Sequence, residues 1–418
     1  MTRRTILRMA EALTSAALLL APCTVRADVV LIGAAGFSGD ACDLSKLAEP
    51  LEDRTPANRF GGISAIEYSG DKDLYLVLSD RGPADGATSY RCRFHLMRLT
   101  VTPDSAKPVA AELVSTNFLR DEQGKNLVGA ASAFDANNPD KGLRFDPESI
   151  RRANGLFYIS DEYGPFIAEF SPQGVRGRLL AVPKRFQALH PAATPDEEGR
   201  LNQSGRQTNA GLEGMAATPD GKRLVAIIQR PLIQDSEAGA NGKRRGRNNR
   251  VLQLDLADGR TREYVYVLDD SSYGVSEVLA VNGHEFLVLE RDGKGGDEAQ
   301  CKRIYKIDLR GASEVGDRDA LPPEQLPDDI KPVKKTLLVD VLEGRYGIKG
   351  PACPEKMEGL AFGPDLPDGR RLLVLACDSD FDETRSTMFY AFALDRDDLP
   401  GFGRRAPAMP RPTRGEPS

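Results

Sequence analysis

The chain has 418 residues, of which 40% are hydrophobic and 28% are charged, and its formal net charge at pH 7 is −6. This composition is typical of a globular protein with one large core or two ordinary ones. A mild acidic excess gives no indication of a surface for nucleic acids or anionic membranes, which would need clustered positive charge. We therefore expect no nucleic-acid partner.

Residues 1–27 have the features of an export signal. Three arginines stand among the first eight residues, an apolar stretch follows at 12–22, and Val-Arg-Ala at 25–27 offers a cleavage site. The opening TRRTILR is also similar to a bacterial twin-arginine signal. No later segment supplies the roughly 20 apolar residues of a transmembrane helix. The sequence thus predicts a periplasmic or secreted protein without a transmembrane segment.

Several common catalytic and metal-binding patterns do not occur in this sequence. It has no CxxC pair and no histidine pair with zinc-ligand spacing. It also lacks the GxSxG turn of serine hydrolases. Five cysteines remain after the predicted cleavage, and two disulfides with one spare thiol are expected in an oxidising compartment. Proximity along the chain favours Cys42 with Cys92 and Cys301 with Cys353.

One phrase recurs five times after the signal. It carries Ser or Glu near its second or third place, then an apolar pair, then a turn. The five copies are GGISAIEYSG (61–70), DPESIRRANG (146–155), GLEGMAATPDG (211–221), GVSEVLAVNG (274–283) and the stretch starting KMEGLAFGPD (356–365). Each copy is followed by two further apolar runs, and the first four copies by a third. Short runs rich in branched and aromatic residues and bounded by Gly, Asp, Asn and Pro indicate strands and turns.

The repeat predicts an all-β fold, a β-propeller of four-stranded antiparallel blades. Five copies predict five blades, and a sixth would require an additional sheet within 102–145. The fifth repeat lacks its fourth strand, and we expect an N-terminal strand in ADVVLIGAAGF (27–37) to close this last blade. The propeller domain is expected over 28–395, followed by a disordered Pro/Arg-rich tail at 396–418.

The first strand of each propeller blade lines the central channel, so a residue repeated there forms a ring. The repeated positions of the first strands are Ser64, Glu148, Glu213, Glu277 and Glu358. Those at the ends of the second strands are Asp80, Asp161, Gln229, Glu290 and Asp378. Next to these stand Arg81, Glu162, Arg230, Arg291 and Ser379. Converging like charges raise one another's pKa or require a cation.

Two interpretations of this ring remain open. In the first, the carboxylates pair with the three arginines and hold the blades together. In the second, they bind a hard cation such as Ca²⁺, which takes six to eight oxygen ligands. The candidate metal ligands are Glu148, Glu213, Glu277, Glu358, Asp80, Asp161, Glu290 and Asp378. The candidate phosphate-binding residues are Arg81, Arg230 and Arg291. The candidate catalytic residues are Glu148, Glu213, Asp161 and Glu162.

The repeated phrases resemble a known family. GGISAIEY…LYLVLSDRGP, FDPESI…LFYISDEYGPFIAEF, NAGLEGMA…QRP and KMEGLAF are similar to the phytase-like domain named "esterase-like activity of phytase". The resemblance runs from about Gly61 to Asp395 and implies a secreted bacterial β-propeller. It also implies a relation to calcium-dependent propeller phytases, which hydrolyse phosphomonoesters by metal-activated water in an acidic cleft. No family motif assigns a catalytic base, so the residues above depend on the ring argument, and Gln229 departs from a fully acidic cluster.

The predicted function is therefore hydrolysis of phosphate or other esters of a small molecule at the acidic channel mouth, with Ca²⁺ as cofactor. The first alternative is a non-enzymatic propeller that binds a ligand or protein partner and uses calcium structurally. The second is a metal-dependent lactonase, since propellers host several chemistries. Phosphate-dependent binding would separate the first two, and activity on a lactone but not on a phosphoester would favour the third.

Overall fold

A computed structural model describes residues 29–135, 142–164, 166–239 and 243–403. The predicted export signal and the end of the predicted tail lie outside these residues. Within the described parts the chain folds into five four-stranded antiparallel sheets, one short ribbon and one short α-helix, α1 (Pro195–Leu201). The prediction of a five-bladed, all-β propeller is confirmed.

The strands follow one another in chain order within each blade, except that the first strand joins the last blade. The chain enters through β1 (Val30–Phe37), and blade 1 contains β2 (Ile63–Tyr68), β3 (Leu74–Ser79), β4 (Arg93–Val101) and β5 (Val109–Phe118). Blade 2 contains β6 (Pro147–Ala153), β7 (Leu156–Asp161), β8 (Phe166–Phe170) and β9 (Arg176–Leu180). Blade 3 contains β10 (Leu212–Ala217), β11 (Arg223–Ile228), β14 (Asn248–Asp255) and β15 (Thr261–Val267), with the ribbon β12 (Glu237–Ala238) and β13 (Arg244–Arg245) inserted. Blade 4 contains β16 (Gly274–Ala280), β17 (Glu285–Arg291), β18 (Lys302–Asp308) and β19 (Lys334–Asp340), and blade 5 contains β20 (Lys356–Phe362), β21 (Arg371–Asp378) and β22 (Thr387–Leu394).

Strand β1 completes blade 5, as predicted. It pairs antiparallel with β22, with Val30 opposite Ala393 and Phe37 opposite Thr387. The fifth sheet thus combines the first and last strands of the propeller. This pairing closes the ring and covers an edge that would otherwise expose unpaired backbone groups.

The core lies between neighbouring blades rather than inside any one of them. The second strand of each blade is covered on both faces, so its sequence is a nearly continuous apolar run, as in LYLVLS and RLVAII. Around blades 5 and 1, for example, Phe60, Val77 and Val374 belong to one buried cluster. The first strands are buried as well, because they face one another across the axis.

A buried ion pair closes the channel. Arg151 on β6 has no exposed side-chain surface, and its Nη2 lies 2.5 Å from Oε2 of Glu277 on β16. Its Nη1 donates to the carbonyl of Ile66 in blade 1 (3.1 Å), and its Nη2 donates to that of Leu360 in blade 5 (3.5 Å). One guanidinium therefore contacts four of the five blades.

Glu277 supplies the contact to the remaining blade. Its Oε1 accepts hydrogen bonds from the backbone N–H of Met215 in blade 3 (3.2 Å) and from the hydroxyl of Ser149 in blade 2 (3.3 Å). The Arg151–Glu277 pair thus connects all five inner strands at the axis.

The structure also bears on three other expectations from the sequence: the disordered tail, the disulfides and the absence of a transmembrane segment. Residues 396–403 belong to the predicted disordered tail, yet Phe402 packs edge-to-face on Phe362 at 4.7 Å between centroids, beneath the Arg371 guanidinium. The five cysteines of the described residues are free thiols. The predicted disulfides Cys42–Cys92 and Cys301–Cys353 therefore do not form. In the parts of the chain described above, no helix has the length and hydrophobicity that crossing a bilayer requires.

Candidate active site at the channel mouth

A β-bulge recurs at the same position of every inner strand. In blade 1, Ile63 lies opposite Ser79 and Ala65 opposite Leu78, so Ser64 has no partner in the ladder. A bulge leaves one residue unpaired and changes the direction of its side chain. The residues at the five bulges are Ser64, Glu148, Glu213, Ser276 and Glu358. They form the ring that the repeat predicts, with one exception.

The exception is Glu277. The pairing register places Ser276 at the fourth bulge, and Glu277 lies opposite Leu289, one residue further into the channel. A shift of one residue moves a side chain to a different environment. Glu277 therefore belongs to the ion pair with Arg151 and is not part of the ring at the mouth.

The ends of the second strands form a second circle around the mouth. Equivalent positions are identified by the first-strand residue that each one faces. Asp80 lies opposite Gly62, Glu162 opposite Asp146, and Asp378 opposite Lys356. The complete set is Asp80, Glu162, Gln229, Arg291 and Asp378. The sequence prediction had Asp161 and Glu290 in this set, and both are one residue too early.

The side chains of these two residues have other partners. Glu290 accepts hydrogen bonds from the Tyr266 hydroxyl (2.5 Å) and the Lys335 ammonium (2.6 Å) at the outer side of its strand. Asp161 accepts from the backbone N–H groups of Asp146 (2.8 Å) and Gly164, so it holds the loop that carries Glu162. Alternation along a strand explains both placements, because adjacent residues point to opposite faces.

Three buried carboxylates meet on the blade 2 side of the mouth. Asp146, Glu148 and Glu162 each offer an oxygen, and these atoms lie within 4.8 Å of one another. The Arg81 guanidinium donates to both Asp146 and Glu162, the latter at 3.3 Å, and also to the Asn209 side chain. The Arg81 guanidinium is therefore already paired with protein groups. The sequence had instead predicted that it would be available to bind phosphate.

Two carboxylates of the bulge ring lack full compensation. Burial, and then the nearby charges of Asp146, Glu213 and Glu162, raise the pKa of Glu148 well above its usual range. The Glu213 Oε1 accepts from Gln229 Nε2 at 2.8 Å, but its Oε2 is buried without a hydrogen-bond partner in the described residues. Burial, followed by Glu162 and Glu358, also raises the pKa of Glu213 well above its usual range.

The two arginines near Glu213 differ in their pairing. Arg291 donates to Glu358 (2.6 Å) and to the Ser276 hydroxyl (2.7 Å). Arg230 has no ion pair or hydrogen bond with any residue that the structure describes. Burial and the neighbouring Arg291 lower the pKa of Arg230. Two adjacent guanidinium groups, one of them unpaired, are suited to binding an anion.

We use the term mouth cluster for the charged side chains at this end of the channel. Its carboxylates outnumber its cations by seven to four. Its members are Asp80, Asp146, Glu148, Glu162, Glu213, Glu358, Asp378, Arg81, Arg230, Arg291 and Lys356. Burying unpaired negative charge is costly, so the cluster must bind protons or a cation.

In the presence of a chelator, we expect the free energy of unfolding to fall as the pH rises from about 5 to 8. Burial raises the pKa of Asp161 and Glu277 to about 7 and that of Asp378 to about 6. The folded state therefore binds more protons than the unfolded state in this window, and stability is lost as the pH passes the folded-state values. Urea denaturation at several pH values tests this, and stability that rises steadily to pH 8 would contradict it.

The fold and the charged mouth define the protein as a five-bladed propeller with a polar site at one end of its channel. The sequence profile of the phytase-like family, described as "Esterase-like activity of phytase", matches residues 58–381. The chain belongs to this family, which confirms the resemblance seen in its repeated phrases.

Individual relatives are more distant. An uncharacterized secreted protein of Arthroderma benhamiae (strain ATCC MYA-4681 / CBS 112371) is 28% identical over 318 residues, which cover 59% of this chain and 62% of that relative. The chain thus matches less than two thirds of the relative's length. The crystal structure of the Malassezia sympodialis allergen Mala s 1 covers 80% of this chain and 78% of its own, with 12% identity and a TM-score of 0.36. A putative 6-phosphogluconolactonase from Bacteroides fragilis NCTC 9343 covers 75% and 76%, with 13% identity and a TM-score of 0.32. Neither structural similarity supports an argument about function.

Proposed function

We propose that the protein is an exported hydrolase of phosphate or other esters, and that it requires a divalent cation, with Ca²⁺ the expected ion. The observation that carries the proposal is the buried carboxylate excess around Glu148, together with Arg230, which is near Glu213 and Glu162 and has no partner among the described residues. Family membership supports the ester chemistry, and the secreted relative supports export.

The residues present fit a hard cation. Such ions take oxygen ligands, and Asp146, Glu148 and Glu162 offer three converging carboxylate oxygens. The buried Oε2 of Glu213 offers a further oxygen, which has no hydrogen-bond partner within the described parts of the chain. When bound, the cation would lower the pKa of a coordinated water and neutralise charge on the ester.

The chain's own residues would bind and orient the substrate. Arg230 is free to donate two hydrogen bonds to phosphate oxygens, and Arg291 would neutralise the remaining charge. Glu213 lies next to both arginines, and burial raises its pKa, so its carboxylate is a stronger base than an exposed one and is suited to accept a proton from water. Arg81 would instead fix the positions of Asp146 and Glu162.

The direct test is hydrolysis by chelator-treated protein, with and without Ca²⁺, of a phosphomonoester, a carboxylic ester and a lactone. We expect calcium-dependent release of phosphate. Activity on the lactone alone would identify a lactonase. If none of the three is hydrolysed although Ca²⁺ binds, the protein is a binding propeller with structural calcium, and the proposal is overturned.

Changing Arg230 to Ala is expected to abolish the protection that inorganic phosphate gives against thermal unfolding, because its guanidinium is a cation of the mouth without a partner among the described residues. Calcium binding should persist, since none of the proposed ligands is altered. Thermal unfolding with increasing phosphate measures the effect. Arg262→Ala, at an exposed position of the same blade, is the control and should retain protection. Undiminished protection in a folded Arg230→Ala protein would exclude this residue as the phosphate ligand.

A further inference from the structure

A side pocket lies beside the mouth cluster. Its volume is about 140 Å³, and its inner wall is formed by Arg81 and Glu162, which also belong to the cluster. Its other walls include Ala131, Tyr163, Ala192 and Pro195. The pocket therefore opens next to the proposed reaction centre, at a position where a non-reacting part of a substrate would lie.

The charges that line this pocket are already paired. Arg206 Nη2 lies 2.5 Å from Glu198 Oε1, and Arg144 Nη1 lies 3.4 Å from Glu198 Oε2. The Arg144 guanidinium also stacks 4.5 Å from the centre of the Tyr163 ring. A charged ligand group would have to break these pairs, whereas an uncharged group would not. The pocket thus differs from the mouth, where Arg230 has no ion pair or hydrogen bond with a described residue.

The size of the pocket limits the ligand further. An apolar protein cavity of about 150 Å³ accommodates benzene, so this pocket has room for one six-membered carbon ring. Two alanines and the Tyr163 ring offer apolar contacts, and Thr208 and Asn209 add polar groups to the lining. A ring with one free or esterified hydroxyl matches this lining.

We propose that the side pocket binds the uncharged ring of a simple cyclic alcohol whose phosphate ester reacts at the mouth; this inference rests on the proposed function. In the reaction, the water oxygen bonds to phosphorus, and the bond breaks between phosphorus and the oxygen that is attached to the carbon ring. One proton of the water ends on the released alcohol and the other remains on the phosphate, so no co-reactant is needed. An inositol hexakisphosphate, with a phosphate on every carbon, fits neither the volume nor the paired charges.

The first measurement compares cyclohexyl phosphate, methyl phosphate and inositol hexakisphosphate as substrates with Ca²⁺ present. The two simple esters release alcohols of similar acidity, so a difference in kcat/KM reports binding of the ring. We expect cyclohexyl phosphate to be preferred over methyl phosphate by at least about tenfold, and inositol hexakisphosphate to be the poorest substrate. Equal kcat/KM values for the two simple esters would overturn the inference.

The second measurement fills the pocket. Ala192→Leu should reduce the cyclohexyl-to-methyl preference to about one, and the smaller Ala192→Val serves if the leucine variant does not fold. Ala257→Leu, in an exposed turn, is the matched control and should keep the preference. A filled pocket with an intact preference contradicts the proposal.

A third measurement does not depend on catalysis. Saturation-transfer NMR with phenol as the probe should detect binding to the unmodified protein and its loss in the Ala192 variant. If no ester is hydrolysed but phenol binds in this way, the proposed function fails while the pocket is confirmed as a site for an uncharged ring. If phosphate esters are hydrolysed but phenol does not bind, the pocket proposal fails alone.

Discussion

Replacement of Arg151 by Met is expected to lower the free energy of unfolding by about 3–5 kcal/mol, because it leaves the buried Glu277 carboxylate without its partner. The effect should be large for a single residue, since the guanidinium also donates to carbonyl groups of blades 1, 4 and 5. Urea denaturation at pH 8, where Glu277 would be charged in the unfolded chain, measures the change.

Two further proteins separate the buried pair from a general effect of losing an arginine. Arg151→Met combined with Glu277→Gln should recover part of the loss, because Glu277 no longer carries a charge without a partner. The recovery is partial because the buried Glu67 carboxylate, 3.7 Å from Arg151 Nη1, also loses its partner. Arg98→Met removes an ion pair of a half-exposed arginine with Glu112 (3.1 Å) and should cost less than about 1 kcal/mol. A loss in Arg151→Met no greater than in Arg98→Met would contradict the role given to the axial pair.

Glu148→Gln is expected to weaken Ca²⁺ binding by at least about 100-fold and to reduce calcium-dependent hydrolysis by a similar factor. The amide preserves the shape of the side chain but removes the charge that burial and four neighbouring carboxylates disfavour. The same change should therefore raise the stability of the chelator-treated protein at pH 8. Calorimetric titration of Ca²⁺ into residues 28–418, together with denaturation in chelator, measures both effects.

Glu213→Gln should likewise weaken Ca²⁺ binding and raise stability in chelator, because the Glu213 Oε2 is buried without a hydrogen-bond partner in the part of the chain that the structure describes. Glu169→Gln is the control: this residue belongs to blade 2 but pairs with the exposed Arg178 (2.8 Å), away from the channel. Calcium affinity that is the same in the Glu148 and Glu213 variants as in the control would favour the structural interpretation of the ring. The protein would then be a binding scaffold rather than an enzyme.

The repeat was sufficient to predict the blades, because each strand is a short apolar run between turn residues. It was also sufficient to predict that β1 closes the ring, since the fifth repeat lacked its fourth strand and the N-terminal strand belonged to none of the repeats. The position of Glu277 could not be obtained in this way. Aligning the repeats on their glutamates placed Glu277 in the ring and ignored the bulge. Aligning them on the bulge takes Ser276 in the fourth repeat, the residue before Glu277, and gives Ser64, Glu148, Glu213, Ser276 and Glu358 in one column.

The same alignment contains a signal for two residues that sequence reasoning missed. The position two residues before each bulge is Gly in three repeats, but Asp146 in the second and Lys356 in the fifth. Both belong to the mouth cluster. The engagement of Arg81 had no such signal, because it depends on a contact with Asp146 across two blades and 65 residues of chain. Which arginine remains available for a ligand is decided by tertiary pairing.

The pairing of β1 with β22 also sets an order of events during synthesis. β1 is the first propeller strand to leave the ribosome, and its partner is the last, ending at Leu394. Blade 5 therefore stays incomplete until nearly the whole chain has emerged, and closing it requires contacts between residues at least 350 positions apart. Until then, the chain resembles an open stack of sheets with two exposed edges. A nascent chain that stalls before β22 would be unable to form the closed ring, and its unpaired edges would be prone to aggregate.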